Sequence, residues 1–172
     1  MTLKDKIRDV PNFPENGIIF RDITTLLKDG NAFAEAVDEI KRRILEQDLD
    51  FDLIVGPESR GFIVGTPLAY ALKKGFIPLR KPGKLPCKTI SHSYNLEYGS
   101  DSLEIHVDAI KPKEKVIIVD DLMATGGTFL SAVDLVERLG GEVVAIIALI
   151  ELVDLKGREK LKGYNIITLL QY

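Results

Sequence analysis

Two stretches of the chain repeat apolar residues at intervals of three and four, the period of a helix with one buried face. In the stretch 31–47 these residues are Phe33, Ala36, Val37, Ile40, Ile44 and Leu45. The second stretch is 129–139, and Gly140 after it is the residue expected at a helix C-terminus. A third, helix-like stretch ends at Lys74, before Gly75. The pattern predicts a helix over each.

Five other segments are mostly apolar without alternation, which indicates strands buried on both faces. They are 52–55, 76–79, 116–119, 143–150 and 166–170. Because helices separate these strands, the predicted fold class is α/β, a mostly parallel twisted sheet flanked by helices. Ligands of such sheets bind beyond the carboxyl ends of the strands. The loops after Val55 and Val119 are therefore the first candidate sites.

One segment between those loops has a different pattern. Leu103, Ile105, Val107 and Ala109 alternate with Glu104, His106 and Asp108. Such alternation predicts a half-exposed strand, with 91–98 as its partner and 99–101 as the turn between them. A two-stranded flap of this kind beside the ligand end of the sheet would act as a lid.

The composition of the 172-residue chain is that of an ordinary globular protein, with 45% hydrophobic and 28% charged residues. No repeat or linker divides it, so we expect a single domain over 1–172. Lys and Arg number 23 against 26 Asp and Glu, a net charge of −3 that argues against sequence-independent binding of nucleic acid. A local basic pocket for a phosphorylated small molecule stays open.

The chain has one cysteine, Cys87, and two histidines. An intrachain disulfide is therefore excluded, and this residue set argues against a zinc site. The N-terminal residues 1–8 lack the apolar core of a secretion signal, and the longest apolar run, 143–150, is too short to span a bilayer. We expect a cytoplasmic protein with no membrane partner.

The segment 116–128 carries the most specific chemistry. A buried strand is followed by Asp120 and Asp121, then by a turn with Gly126 and Gly127, and then by a helix. Successive N–H groups in such a turn bind an anion, and the start of the helix adds about half a positive charge. The two carboxylates accept hydrogen bonds from a vicinal diol. A ribose 5-phosphate satisfies both halves of the segment.

Other readings of this turn are weaker. The patterns G-x-x-x-x-G-K-[ST] and G-x-G-x-x-G are absent from the sequence, which argues against a P-loop and a dinucleotide site. An ordinary strand-to-helix turn, in which both glycines serve only the backbone geometry, remains the alternative. The acid pair directly before the turn favours the ligand site.

The segment resembles the binding motif for 5-phosphoribosyl 1-pyrophosphate (PRPP) of the type I phosphoribosyltransferases. Four more stretches, 13–22, 58–62, 80–86 and 94–99, make the chain similar to the adenine phosphoribosyltransferases in that family. The resemblance covers about 13–157. It implies the type I phosphoribosyltransferase fold, with a small flexible hairpin flap at about 84–110 and an N-terminal base-binding hood at about 1–30.

The resemblance also implies the reaction, in which PRPP and adenine give AMP and pyrophosphate. Mg²⁺ would be carried mainly by PRPP oxygens, with no direct metal ligand in the protein. In dimeric members of the family the neighbouring subunit supplies part of the contact at 80–84, so we expect a homodimer. The family's loop often contains a cis peptide, which would here be the bond between Glu58 and Ser59. Glu58 stands where some relatives have Asp.

Individual roles follow from the same resemblance. The ribose and its 5′-phosphate would be bound by Asp120, Asp121, Ala124, Thr125, Gly126, Gly127 and Thr128. Pyrophosphate would be bound by Ser59, Arg60, Arg80, Lys81 and Lys84. Adenine would be bound by Ile19, Phe20, Arg21 and Leu152. Glu97 would be the catalytic acid/base of the flap, which Tyr94 and Tyr98 orient.

Each role has a simpler alternative. Phe20 is otherwise a core residue, Arg60 a solvated loop arginine, and Glu97 a solvated acid of an exposed hairpin. At the level of the whole protein, two other functions remain: transfer to hypoxanthine, guanine or xanthine, and a non-catalytic regulator that senses PRPP. The negative net charge, and the lack of room for a DNA-binding module in 172 residues, argue against the regulator.

Overall fold

The computed structural model describes residues 2–96 and 99–172. Its strands are β1 Arg8–Pro11, β2 Ile19–Asp22, β3 Leu53–Pro57, β4 Gly75–Leu79, β5 Thr89–Leu96, β6 Gly99–His106, β7 Lys115–Met123, β8 Glu142–Glu151 and β9 Ile166–Gln171. Its α-helices are α1 Thr24–Lys28, α2 Gly30–Glu46, α3 Arg60–Leu72 and α4 Gly127–Arg138. Short 3₁₀ helices cover Leu3–Lys6, Val153–Leu155 and Gly157–Leu161. Every predicted helix and strand has a counterpart within this set.

The central sheet is parallel and has the strand order β4-β3-β7-β8-β9. Ile117 and Val119 of β7 face a core that contains α2 and α3, whereas Val116 and Ile118 face a second core that contains α4. All four side chains are fully buried. The uninterrupted apolar run of this strand therefore reflects a sheet covered on both faces, as predicted.

The helices match the apolar periodicity with small differences. The 31–47 helix is shifted by one residue, and Leu45 lies on its solvent side with 60% of its surface exposed. Leu45 directly follows the buried Ile44, so a turn of about 100° per residue carries it off the buried face. Gly140 follows the C-cap Leu139, and the N–H of Gly141 donates to the carbonyl of Val136 at 3.0 Å.

The predicted flap is an antiparallel hairpin of β5 and β6. Leu103 and Ile105 are buried on the core that contains α4, which explains the alternation seen in the sequence. The predicted turn at 99–101 is wrong, because these residues belong to β6 and Tyr94 pairs with Asp101. Strand pairing thus continues through a Gly-Ser-Asp sequence that by itself favours a turn.

An N-terminal hairpin of β1 and β2 lies outside the central sheet. Asp22 at the end of β2 accepts hydrogen bonds from the backbone N–H of Thr24 and from the Arg8 guanidinium. These bonds, that of Thr24 first, lower the pKa of Asp22 to about 2. The hairpin is thereby tied to α1, which leads into α2. Across the described residues, no helix is both long and apolar enough to cross a membrane.

Candidate active site

A cleft of about 350 Å³ opens at the carboxyl ends of β3, β4 and β7. Its lining includes Arg60, Lys81, Tyr94, Asp120, Asp121 and Thr128. A smaller cavity of about 160 Å³ shares Arg60 and both aspartates with it and extends along the turn 124–128. The loops after β3 and β7, which the sequence singled out, therefore meet at one edge of the sheet, and the flap covers that edge.

The acid pair lies inside β7 rather than after it, because the pairing with β8 continues to Met123. Asp120 is 9% exposed and Asp121 7% exposed. Asp120 accepts a hydrogen bond from the backbone N–H of Asp121 at 2.8 Å, and Arg60 Nε lies 2.7 Å from Asp121 Oδ2. Burial, followed by the charge of Asp121, raises the pKa of Asp120 well above its ordinary value.

This raised pKa predicts a stability cost at Asp120. The folded protein keeps the proton to a higher pH than the unfolded chain, so its stability falls as pH rises from about 4 towards the folded pKa. Asparagine has no such proton to lose, and its amide can donate to Asp121. We expect Asp120→Asn to raise Tm on the order of 3 °C or more at about pH 7, with the gain shrinking towards about pH 4.

Thermal unfolding of wild type and Asp120→Asn at both pH values measures this difference. A lower Tm for the variant at the higher pH would contradict a buried, electrostatically strained carboxylate at position 120.

The turn after β7 is fixed by close backbone approach. Gly126 has φ +83° and is the N-cap of α4. A Cβ at this position would lie 2.6 Å from the carbonyl oxygen of Gly157, and a Cβ on Gly157 would lie 2.6 Å from the carbonyl oxygen of Ala124. The turn therefore lies in close contact with the loop that contains Gly157. The first residues of α4, whose N–H groups have no partner within the helix, line the smaller cavity.

The loops after β3 and β4 border the cleft, and each is followed by or contains a basic residue. The peptide bond between Glu58 and Ser59 is cis, as expected, and Arg60 is the first residue of α3. The Glu58 carboxylate accepts hydrogen bonds from the backbone N–H of Lys81 at 2.7 Å and from Arg80 Nε at 3.2 Å. Glu58 therefore joins the loop after β3 to the loop after β4, a function that its place in the sequence alone did not indicate.

The basic run is not uniform. The ammonium of Lys81 lines the cleft and forms an ion pair with Asp101 of β6. Lys84 is exposed and is not among the residues that line the cleft. The backbone N–H of Lys84 donates to the carbonyl of Lys81 at 3.3 Å, so the chain turns here and carries Lys84 away. Of the three predicted cations of this run, the structure brings Lys81 to the cleft and places Arg80 beside it, on the cleft residue Glu58.

The flap approaches the turn through Tyr94. Its hydroxyl donates to Asp101 Oδ2 at 3.1 Å and lies 3.4 Å from Thr128 Oγ1. Burial raises the pKa of Tyr94, so the hydroxyl is a neutral donor across the physiological range. Asp101, one of the residues predicted to form the turn, accepts the hydrogen bond from Tyr94 and forms the ion pair with Lys81. Glu97 and Tyr98 lie outside the described residues.

The segments predicted to bind a base lie next to this edge. Phe20 packs edge-to-face on Phe13 with ring centroids 5.2 Å apart, and the Arg60 guanidinium carbon is 5.5 Å from the Phe20 centroid. Phe20 belongs to neither described core cluster, which removes the interpretation of it as a core residue. Ile19 is 49% exposed. The N–H of Leu152 donates to the carbonyl of Met123 at the end of β7.

Comparison with known proteins agrees with this geometry. Residues 24–169 match the phosphoribosyl transferase domain family. The adenine phosphoribosyltransferase of Halothermothrix orenii is 61% identical over 171 residues, which cover 99% of each chain. The chain belongs to the adenine phosphoribosyltransferase family. A relative of the same name from Acetivibrio thermocellus is 59% identical over the full length of both chains.

Solved adenine phosphoribosyltransferases have the same fold. The enzyme from Thermoanaerobacter pseudethanolicus superposes with a TM-score of 0.95 at 53% identity, covering 99% of this chain and 98% of that one. The Saccharomyces cerevisiae enzyme, solved with adenine and an imino-altritol bisphosphate, gives a TM-score of 0.93 at 43% identity, covering 97% and 96%. The type I phosphoribosyltransferase fold is thus the fold of this family member.

The carboxylates that line the smaller cavity of this phosphoribosyltransferase are the candidates for metal ligands. Throughout residues 2–96 and 99–172, no three His, Cys, Asp or Glu side chains are arranged to hold an ion. Among the described residues that line the smaller cavity, Asp120 and Asp121 are the only two with carboxylates, and Asp121 is paired with Arg60.

Proposed function

We propose that this protein transfers ribose 5-phosphate from PRPP to adenine, giving AMP and pyrophosphate, in purine salvage. The observation that carries the proposal is the pair of adjoining cavities that share Arg60, Asp120 and Asp121, one of which extends along the turn 124–128. Relatives named adenine phosphoribosyltransferase at 56–61% identity over nearly the whole chain support it.

The ribose 5-phosphate half of PRPP fits the end of β7. The ribose hydroxyls would donate to Asp120 and Asp121, and the 5′-phosphate would accept hydrogen bonds from the turn and from the hydroxyls of Thr125 and Thr128. Arg60 pairs with Asp121 in the free protein, at 2.7 Å. The diol would take the place of this arginine, which is then free to bind the pyrophosphate.

The basic residues would act on the leaving group. When the bond between the anomeric carbon and pyrophosphate breaks, positive charge develops on the ribose and negative charge on pyrophosphate. Ser59, Arg60 and Lys81 line the cleft, with Arg80 beside them on Glu58, and these groups would stabilise the departing anion. Lys84 would reach it only from the exposed turn. The protein needs no covalent nucleophile, because its work is to stabilise charge, align two substrates and exclude water.

Adenine would lie between Phe20 and Leu152. Phe20 would stack on the base, and backbone groups of Ile19 and Arg21 would pair with its Watson–Crick edge. Hypoxanthine reverses the donor and acceptor pattern of that edge, so it would leave buried backbone groups without partners. This would make the enzyme selective for a 6-aminopurine.

Glu97 would accept the imidazole proton that adenine loses as its nitrogen attacks, while Tyr94 and Tyr98 hold the flap in place. We expect Glu97→Gln to lower kcat about tenfold with little change in either KM, a modest effect because water can accept the proton instead. Steady-state kinetics measures both constants. A wild-type kcat in the variant would show that the proton goes elsewhere.

Mg²⁺ would enter the site as part of the substrate, on the oxygens of PRPP. When bound there, the ion neutralises part of the pyrophosphate charge. The residues of this chain would contact PRPP through its other oxygens, which is why a protein-made metal site is not needed.

A base panel tests the proposed function directly. Purified protein is incubated with PRPP, Mg²⁺ and one base at a time: adenine, hypoxanthine, guanine or xanthine. The proposal expects AMP from adenine and little product from the 6-oxopurines. Preferential turnover of a 6-oxopurine would overturn the adenine assignment. Binding of PRPP without AMP formation, together with binding of a specific nucleic acid, would favour the regulator.

A homodimer in the cytoplasm is the assembly and location that we propose. One face of α3 exposes apolar side chains, with Ile63 38% and Tyr70 87% exposed. An aromatic ring exposed to this degree on a helix that begins at Arg60 supports a second subunit beside the active site. Sedimentation of the purified protein distinguishes the dimer from a monomer.

The proposed location in the cytoplasm agrees with the cysteine content. Cys87 is the lone cysteine of the sequence, which is compatible with a reducing compartment.

A further inference from the structure

The backbone of Tyr172 connects to the loop that carries one wall of the proposed adenine site. Its N–H donates to the carbonyl of Glu151 at 3.0 Å, and its carbonyl accepts from the N–H of Val153 at 2.9 Å. These two residues flank Leu152. Tyr172, which follows β9, therefore fixes the segment on which Leu152 is placed.

The ring of the same tyrosine contacts the segment that carries the other wall. The Arg21 guanidinium carbon lies 4.2 Å from the Tyr172 ring centroid, and Lys4 Nζ lies 4.3 Å from it. Both distances are within the range of cation–π attraction. Arg21 directly follows Phe20 and also forms an ion pair with Asp9 at 2.5 Å.

Arg21 is held at this place mainly by the ring and by Asp9. Its side chain is only 18% exposed, and within the described part of the chain its buried Nε has no hydrogen-bond partner. The Arg21 guanidinium is therefore poorly solvated, and its carbon lies over the Tyr172 ring. The position of Arg21 therefore depends on Tyr172.

Sheet hydrogen bonds do not set the distance between the two walls. Among the described strands, β2 pairs only with β1, while β8 belongs to the five-stranded sheet. Asp22 ties the hairpin to α1, so the spacing of Phe20 and Leu152 depends on side-chain contacts. Tyr172 provides such a contact, since its backbone binds one wall and its ring binds the other.

We propose that Tyr172 is a positioning residue that sets the spacing of the adenine site, an inference that rests on the proposed function. Loss of the ring would loosen the hairpin without touching the cleft for PRPP. Binding of adenine would weaken equally in the ground state and the transition state, so KM for adenine would rise and kcat would stay.

The test compares steady-state constants of four variants. Tyr172→Leu removes the ring, Tyr172→Phe keeps it, Arg21→Met removes the cation, and Lys4→Met removes the cation that does not reach Phe20. We expect Tyr172→Leu and Arg21→Met each to raise KM for adenine about fivefold to tenfold, as loss of a desolvated cation–π contact would. KM for PRPP and kcat should stay within about twofold. Tyr172→Phe and Lys4→Met should resemble wild type.

The double variant Tyr172→Leu/Arg21→Met should be no worse than either single variant, because both remove the same contact. An unchanged KM for adenine in both single variants, or equal rises in KM for adenine and PRPP, would overturn the proposal. If Tyr172→Leu does not fold, Arg21→Met decides, with Asp9→Asn as the control for the ion pair that Arg21→Met also removes. Absence of adenine turnover in wild type would instead refute the proposed function, so the two failures are distinguishable.

Discussion

Replacing Gly126 by alanine is expected to lower kcat/KM for PRPP about 100-fold while the protein stays folded. Gly126 has φ +83°, a conformation that costs a residue with a Cβ about 1–2 kcal/mol. The new Cβ would also lie 2.6 Å from the carbonyl oxygen of Gly157, which is backbone and cannot rotate away. The turn must therefore move, and its N–H groups lose their alignment with the 5′-phosphate.

Gly163→Ala is the matched control. Gly163 has φ +94°, but no atom lies within 4 Å of the Cβ that would be added, and it lies outside the proposed site. Both variants should lose similar stability from backbone strain, and only Gly126→Ala should lose activity. Thermal unfolding and PRPP-dependent kinetics of the two variants separate these effects. Equal kcat/KM values would show that the turn does not hold the phosphate.

We expect Asp121→Asn to weaken PRPP binding about 30-fold to 100-fold. The diol would lose a charged acceptor in a buried place, where a charge-assisted hydrogen bond contributes about 1.5–3 kcal/mol. Calorimetric titration with PRPP and Mg²⁺, in the absence of adenine, measures the affinity without involving the chemical step.

Asp38→Asn serves as control for this experiment, because Asp38 is an exposed aspartate on α2, away from the cleft. It should bind PRPP like wild type. An unchanged affinity in folded Asp121→Asn would mean that this carboxylate does not bind the ribose, and the role of the acid pair would have to be reassigned.

Much of the sheet could be predicted because a strand that is buried on both faces is an uninterrupted run of apolar residues. In β7, Val116 and Ile118 face one core and Ile117 and Val119 face the other, so every position from 116 to 119 is apolar. The strand end was harder to place. Asp120 still pairs with Ala148, and Met123 with Glu151, because backbone hydrogen bonds to β8 do not depend on the side chain. The acid pair therefore indicates where the cleft lies at the end of the sheet, but not where the strand ends.

Contacts between segments that are distant in the sequence could not be predicted from it. Lys81 and Lys84 look equivalent in the chain, yet only Lys81 faces the cleft, and Asp101 is its partner across the flap. The role of Asp101 depends on strand register, and that of Glu58 on two loops meeting after β3 and β4. Periodicity predicts which face of an element is buried, but not which polar groups meet at the end of a sheet.

A crystal structure of the protein with AMP tests the central claim most directly. The account predicts the 5′-phosphate oxygens about 3 Å from the backbone N–H groups of 125–128, with the ribose hydroxyls on Asp120 and Asp121 and the base beside Phe20. Arg60 should have left Asp121. A nucleotide bound elsewhere, with the turn free of phosphate and the Arg60–Asp121 pair intact, would contradict the account.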